Sequence, residues 1–283
     1  MFKKNLHENL FDIYLYLYYK LKSVNNPLTR PKKMLLNTEI RVLQNNGIVV
    51  MPTETVYGLA ADATSDMAVA KIYALKNRPV FNPLIIHVSH IDMAAEYCEL
   101  NDMFVRIANY FWGQKKSISL IARLKPESTL SKLVTAGLDT VAVRMPHHPL
   151  AMQLIHEFNR PLAAPSANPS NKISPTTAQH VKDAYGENCP LVIDGGECQV
   201  GVESTILDLT QNVPVILRKG AVTADDVANF LNTEIMYNQN DTVIKAPGMQ
   251  KRHYAPDCDL ILNHTGAVPD GYVHLGFGDV VCF

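Results

Sequence analysis

A chain of 283 residues, 47% of them hydrophobic, can bury one large core, or one core with a small appendage. Its formal net charge of −1 gives no global attraction to nucleic acid or to a membrane surface, so any basic footprint must be local. Five cysteines lie far apart with no C-x-x-C pair, and no stretch reaches the roughly 20 apolar residues that a membrane helix needs. Disulfide scaffolds, thiolate zinc sites and membrane spans are thereby disfavoured, and the expected setting is a soluble protein of the reducing cytoplasm.

Residues 1 to 33 differ from the rest. Leu10 to Tyr19 are apolar or aromatic on nearly all sides, with lysines on both flanks. The expectation is a poorly ordered N-terminal extension ahead of Met34. A docking helix is one alternative. A cleaved signal is another, opposed by Glu8, Asp12 and the lack of a small-residue cleavage site.

From Met34 the pattern is regular. Thr38 is placed to cap a helix through Asn46, with Gly47 as its stop. Ile48 to Met51 read as a buried strand, and Pro52 to Gly58 as a polar loop, because Pro52 cannot continue a central strand. Thr64-Ser65-Asp66 offers an N-cap for a helix that must end near Asn77-Arg78, ahead of Pro79. Leu84 to Val88 form the next strand, which carries His87. Helices are predicted over 93–100, 102–111 and 150–158. Strands are predicted over 117–123 and 140–144, with a loop at 134–139 between them. Further strands follow at 191–194, 204–209 and 213–218. Thr176 or Thr177 caps a helix to Tyr185, and Thr223 starts the last one.

Strands outnumber helices and come in runs without strict βαβ alternation. The fold class is therefore α+β, or mixed-sheet α/β, and not a doubly wound sheet. Residues 34–231 form one domain, 232–257 a linker, and 258–283 a tail too short to fold alone. Neither G-x-G-x-x-G nor G-x-x-x-x-G-K-[ST] occurs. Small hydroxyls and cations at the ends of strands nevertheless suggest a site for an anion-bearing small molecule.

Six ordered segments carry a resemblance. They are Pro52-Thr53-Glu54-Thr55-Val56-Tyr57-Gly58, Lys76-Asn77-Arg78-Pro79, Asn82-Pro83-Leu84, Val141-Ala142-Val143-Arg144-Met145-Pro146, Ala164-Pro165-Ser166-Ala167-Asn168 and Gly201-Val202-Glu203-Ser204-Thr205. In order and spacing they resemble the YrdC/Sua5 family of L-threonylcarbamoyladenylate synthases. The resemblance implies a YrdC-like twisted mixed sheet flanked by helices, with a large concave basic cleft. Pro247-Gly248-Met249 and His253-Tyr254-Ala255-Pro256 look like the linker of the longer Sua5 branch, with 258–283 as the start of a truncated C-terminal domain.

The reaction implied is the synthesis of threonylcarbamoyl-AMP and pyrophosphate from L-threonine, bicarbonate and ATP, with Mg2+ arriving on the ATP. A downstream transferase would then modify adenosine 37 of tRNA to N6-threonylcarbamoyladenosine. By resemblance Lys76 and Arg78 are catalytic, and Thr55, His87, Arg144, Ala164 and Ser204 hold threonine, with Arg144 facing its carboxylate. Arg78, Asn82, Thr140, Ser166, Asn168, Ser174, Arg218 and His253 would bind ATP, His253 and Tyr254 folding over it.

The chemistry of these residues fits. ATP carries about four negative charges, so fixed cations are the main means of catalysis and positioning comes second. Taken singly, each Arg could be a solvated surface charge, His87 a satisfied histidine at a strand end, and Thr55 and Ser204 hydroxyls that cap backbone.

One stretch departs from the family pattern. Trp-Pro-Gly-Pro-Leu-Thr is replaced by Trp112-Gly113-Gln114-Lys115-Lys116-Ser117, which removes two prolines and adds two cations; the expectation is a looser turn with the site intact, the alternative an altered pocket or reduced activity. Two rival readings remain. One is an RNA-binding module of the same fold without synthase activity, able to make a weak RNA contact. The other is the carbamoyl-transfer domain of hydrogenase maturation factors, whose C-x-x-C motifs this chain lacks.

Overall fold

The computed structural model describes residues 35–238, 246–249, 261 and 266–273. The extension expected over 1–33, His253, Tyr254 and most of the tail lie outside the described residues. In chain order the elements are α1 (Asn37–Gln44), β1 (Val49–Met51), β2 (Gly58–Asp62), α2 (Asp66–Lys76), β3 (Ile85–His87), α3 (Ile91–Tyr97) and β4 (Cys98–Glu99). Then come α4 (Asp102–Ile107), which continues as a π-helical turn over Ala108–Trp112, β5 (Ile118–Leu124), α5 (Lys132–Thr135), β6 (Thr140–Arg144) and α6 (Pro149–Phe158). The series closes with β7 (Leu162–Ala163), α7 (Ala178–Tyr185), β8 (Leu191–Val192), β9 (Thr205–Asp208), β10 (Val215–Arg218), α8 (Ala224–Leu231) and β11 (Met236–Tyr237).

The capping residues act as their chemistry predicts. Ser65 Oγ accepts from the Ala68 N–H at the start of α2, and Thr177 does the same for His180 in α7. Thr223 and Asp226 close a reciprocal capping box at α8. Three expectations are corrected. Helix α1 begins at Asn37, so Thr38 lies inside it, and Asn46 (φ 56°), not Gly47, takes the left-handed position after it. Residues 132–135 form a helical turn where a loop was expected from 134. Strand β2 was missed because Gly58-Leu59-Ala60-Ala61-Asp62 has low strand propensity; its pairing with β1 and burial on both faces decide the outcome.

The sheet is mixed, as the run of strands implied. Its order is β11-β10-β9-β5-β6-β3-β7-β2-β1-β8, with β4 on the end of β5. Parallel pairs (β3 with β6, β5 with β9) alternate with antiparallel ones (β5 with β6, β3 with β7). The two-residue period of a strand divides the side chains between faces. Ile86, Leu120, Val141, Val143 and Leu207 enter the main core beneath the helices. Ile85, Ile121, Ala142 and Ile206 point to the other face, where they pack on Ala246, Leu217 and Met249. Further along that face α7 packs over β1 and β2 through Ala178 and Val181.

The same alternation sets the functional end of the sheet. Arg144 stands beside His87 on β3 and opposite Ser119 on β5 in strand register. All three share the face of Ala142, at the strand ends, beyond the apolar patch.

Gly220 shows how closely the chain must approach there. A Cβ at this position would lie 2.4 Å from the Thr205 nitrogen and 2.5 Å from the Glu203 carbonyl oxygen. Both are backbone atoms, and Thr205 is held in turn by its hydroxyl bond to the Val222 carbonyl at 2.6 Å. Gly220→Ala is therefore expected to cost about 2 kcal/mol, or roughly 4–8 °C in Tm. Gly113→Ala, where a Cβ meets nothing within 4 Å, should not lower Tm. Calorimetry of the two variants checks both outcomes.

Candidate active site

The site is organised around a buried ion pair. Arg144, at the end of β6, donates through Nη2 to Glu54 Oε1 at 2.5 Å and to Thr55 Oγ1 at 2.8 Å. The Glu54 carboxylate also accepts from Ser117 Oγ at 2.9 Å and from the His147 backbone N–H at 2.8 Å. Thr53 builds the turn that presents these groups: its hydroxyl accepts from the Thr55 and Val56 N–H groups and donates to the Val56 carbonyl. Three nitrogens of this neighbourhood meet no partner, Arg144 Nε, His87 Nδ1 and His147 Nε2, and all are buried. Buried polar atoms are nearly always paired, so these orphans set the surroundings of Arg144 apart from the rest of the interior.

A second set of cations comes from the turn after α2. Asn77 takes a left-handed conformation (φ 50°), which reverses the chain and sends Lys76 and Arg78 to one side. Lys76 Nζ donates to the Ser166 carbonyl at 2.6 Å and to the Asn168 carbonyl, tying down the Ala164–Asn168 loop. Arg78 binds the Asn82 and Pro83 carbonyls at 3.1 and 2.8 Å. From the far side Arg218 donates to the Ser204 carbonyl and, at 3.1 Å, to its hydroxyl, which shares a 2.7 Å hydrogen bond with Ser119.

These groups surround a small recess of about 40 Å³. Of the residues expected from sequence, Arg78, His87, Arg144, Ala164, Ser166 and Arg218 line it. Thr55, Lys76 and Ser204 lie behind the lining and hold it. Asn82 is buried nearby with its Oδ1 unpartnered, while the Asn168 amide is turned to the Pro169 and Lys172 carbonyls. Ser174 donates to Glu203 at the rim. Thr140 stands at the opposite end of β6 from Arg144, about 13 Å away along the strand, and the structure does not bring it to the recess.

Several residues of the site escaped the sequence reading: Glu54, Ser117, Ser119, His147 and Glu203. Glu54 and Glu203 sit inside two of the quoted motifs, and a carboxylate beside hydroxyl residues was the available signal. Nothing local marked Ser119 or His147, which join the site only through strand pairing and the bend after β6.

Burial and charge set the protonation states. Burial alone would raise the Glu54 carboxyl, but Arg144, His147 and their hydrogen bonds outweigh it and hold it at about 2. Burial, then Arg144, pushes His87 down to about 3, and burial with Arg144 and Lys115 takes His147 to about 4 against the pull of Glu54. Both imidazoles are neutral at pH 7. Burial and Arg78 also lower Lys76 well below the ordinary lysine range.

A family model described as "Telomere recombination", covering the Sua5, YciO and YrdC proteins, matches residues 41–220. The chain belongs to this family. A second model, described as "Threonylcarbamoyl-AMP synthase, C-terminal domain", matches residues 221–272. Among curated relatives, the threonylcarbamoyl-AMP synthase of Pyrococcus abyssi is 41% identical over 229 residues, 78% of this chain and 65% of that protein. The one from Bacillus subtilis is 42% identical over 226 residues, 78% of this chain and 64% of that protein. The chain thus spans slightly less than two thirds of these relatives' length. A crystal structure of P. abyssi Sua5 complexed with L-threonine is 38% identical and superposes with a TM-score of 0.75, over 81% of this chain and 67% of that one. Escherichia coli YciO, at 19% identity and a TM-score of 0.61, shares the fold.

Residues 112–117, which depart from the family's Trp-Pro-Gly-Pro-Leu-Thr stretch, form a hydrogen-bonded turn. The turn is not loose: the Gln114, Lys115 and Lys116 N–H groups bond back to Tyr110, Trp112 and Phe111 carbonyls at 2.8–3.1 Å. Trp112 Nε1 also donates to the Ile118 carbonyl at 3.0 Å. Ser117 keeps a hydroxyl at the threonine position, and that hydroxyl is the one that reaches Glu54.

The depressed values give a pH dependence of stability. His87, His147 and Glu54 each release their proton more readily folded than unfolded, where their values are 6.5, 6.5 and 4.5. Their contribution is fully present above pH 6.5 and is lost as pH falls toward 3, by at most about 1.4 kcal/mol per pH unit for each group. Tm should therefore fall from pH 6.5 to 4.5, and His87→Gln should flatten that decline. Thermal unfolding of both proteins across this range checks it.

Proposed function

We propose that this chain is an L-threonylcarbamoyladenylate synthase, which makes threonylcarbamoyl-AMP and pyrophosphate from L-threonine, bicarbonate and ATP. The observation that carries the reading is the 38% identity, across 81% of the chain, to the P. abyssi structure with L-threonine. Residues 34–231 act as the catalytic unit and 232–257 as a linker over the recess, a role supported by Pro247 in the recess lining. Mg2+ enters on the phosphates of ATP. A downstream transferase passes the threonylcarbamoyl group to adenosine 37 of tRNA, in the cytoplasm. The rival RNA-binding reading draws no support from relatives that carry synthase names.

The chemistry follows from the charges. The threonine amine, once neutral, adds to CO2 derived from bicarbonate and gives a carbamate. A carbamate oxygen then attacks the α-phosphorus of ATP, and pyrophosphate leaves with the electron pair. Arg144 holds the threonine carboxylate, His87 lies alongside as a neutral polar wall, and the positive surround lowers the amine's pKa. Arg78 and Arg218 take the phosphate charge as it moves onto pyrophosphate. Lys76, whose ammonium is spent on two backbone carbonyls, is assigned to holding the Ser166–Asn168 loop in place instead of touching phosphate. Ser166 and Ala164 supply the adjoining wall.

Pyrophosphate release from ATP should require L-threonine and bicarbonate together. Equal release with serine, or with no amino acid, would count against the threonine assignment. Arg144→Ala should raise the KM for threonine at least about tenfold while moving the KM for ATP far less, since a charge-assisted carboxylate contact is worth roughly 1.5–3 kcal/mol. Steady-state kinetics with each substrate varied in turn measures both.

A further inference from the structure

We propose that Glu54 is the positioning residue of the recess: it fixes the Arg144 guanidinium by Nη2 so that its remaining N–H groups face the substrate carboxylate. The inference deepens the synthase reading and rests on it.

Arg144 already has a carboxylate partner in Glu54 at 2.5 Å. A guanidinium with a full counter-charge is not, at first sight, a free anion receptor. Its donors, however, are divided unequally. The two N–H groups of Nη2 are taken by Glu54 and Thr55. Nε is buried and meets no acceptor. An Arg presents five N–H donors in a rigid plane, so pinning one nitrogen fixes the direction of the other two. Glu54 is itself pinned from two further sides, by Ser117 Oγ and the His147 N–H. Nothing in this arrangement can rotate without breaking a buried hydrogen bond. The carboxylate of Glu54 is 5% exposed as a residue and does not line the recess, so it acts through Arg144 and not on substrate.

Two roles for Glu54 predict opposite results. If it only neutralises Arg144, removing its charge leaves the guanidinium more attractive to the substrate carboxylate, and the KM for threonine falls. If it aims Arg144, loss of the fixed direction outweighs that gain, and the KM for threonine rises.

The experiment measures threonine- and bicarbonate-dependent pyrophosphate release by the full chain and by Glu54→Gln. Aiming predicts a threonine KM raised at least about tenfold, equivalent to about 1.4 kcal/mol, with the ATP KM changed less than about twofold. An unchanged or lowered threonine KM overturns the proposal. If Glu54→Gln does not fold, Ser117 decides. Ser117→Ala removes one of Glu54's three restraints and should raise the threonine KM about two- to fivefold, whereas Ser117→Thr, which keeps the hydroxyl, should match the parent. Equal values for the two Ser117 variants overturn the proposal. Absence of threonine-dependent release from the unaltered protein instead defeats the synthase reading itself, and the two failures are thereby told apart.

Discussion

The interior contact between Arg144 and Glu54 is the constraint on which the rest of the site depends. Moving a guanidinium out of water costs several kcal/mol, and a neighbouring carboxylate repays this only when geometry and further hydrogen bonds are good. Here every oxygen of Glu54 has a donor: the arginine, a serine hydroxyl and a backbone N–H. Loss of either partner would leave a buried charge uncompensated, at a cost of about 3–5 kcal/mol. An apolar pair of similar volume would hold this corner at least as well. What the ion pair adds is a fixed direction for one positive group at the end of a strand.

That direction has value because the strand ends around Arg144 border a recess. The helical layer fills one side through Ile86, Leu120, Val143 and their neighbours. On the other side α7 covers β1 and β2, and among the described residues no helix lies over the ends of β3, β6, β5 and β9. Strand pairing then lines up His87, Arg144 and Ser119 as register neighbours on that face, although they come from three distant parts of the chain. The loops from α2 and β7 close one wall with Arg78 and Ser166, and the turn into β9 closes another with Glu203.

Legibility in the sequence followed the range of the interaction that decides each feature. Helix α2 was readable because its determinants are local: a serine cap, helical apolar spacing and a proline stop. Strand β2 was not, because its Gly-Ala-rich residues become a strand only when β1 and β7 pair with them. The same division runs through the site. Arg78, Arg144 and Arg218 stand out as cations at element ends, and they do line one recess. Lys76 shares that signature, yet its ammonium is turned onto the Ser166 and Asn168 carbonyls, a choice fixed by a loop ninety residues away. Thr140, placed with ATP by resemblance, shares a face with Arg144, but three residues of strand lie between them.

The segment 246–249 supplies the last wall, and its composition follows from what it must touch. Ala246 is fully buried against Ile85, Ile121, Ala142 and Ile206, so a small apolar side chain fits over this patch of the sheet. Pro247 faces the recess. Gly248 has φ +90°, and a Cβ there would stand 2.7 Å from Arg218 Cδ, so only glycine lets the backbone pass over this arginine. Arg218 is consequently held from two sides, by Ser204 through hydrogen bonds and by the segment above through contact. A short stretch far along the chain thus completes, by shape, the same immobilisation that Glu54 achieves for Arg144 by charge.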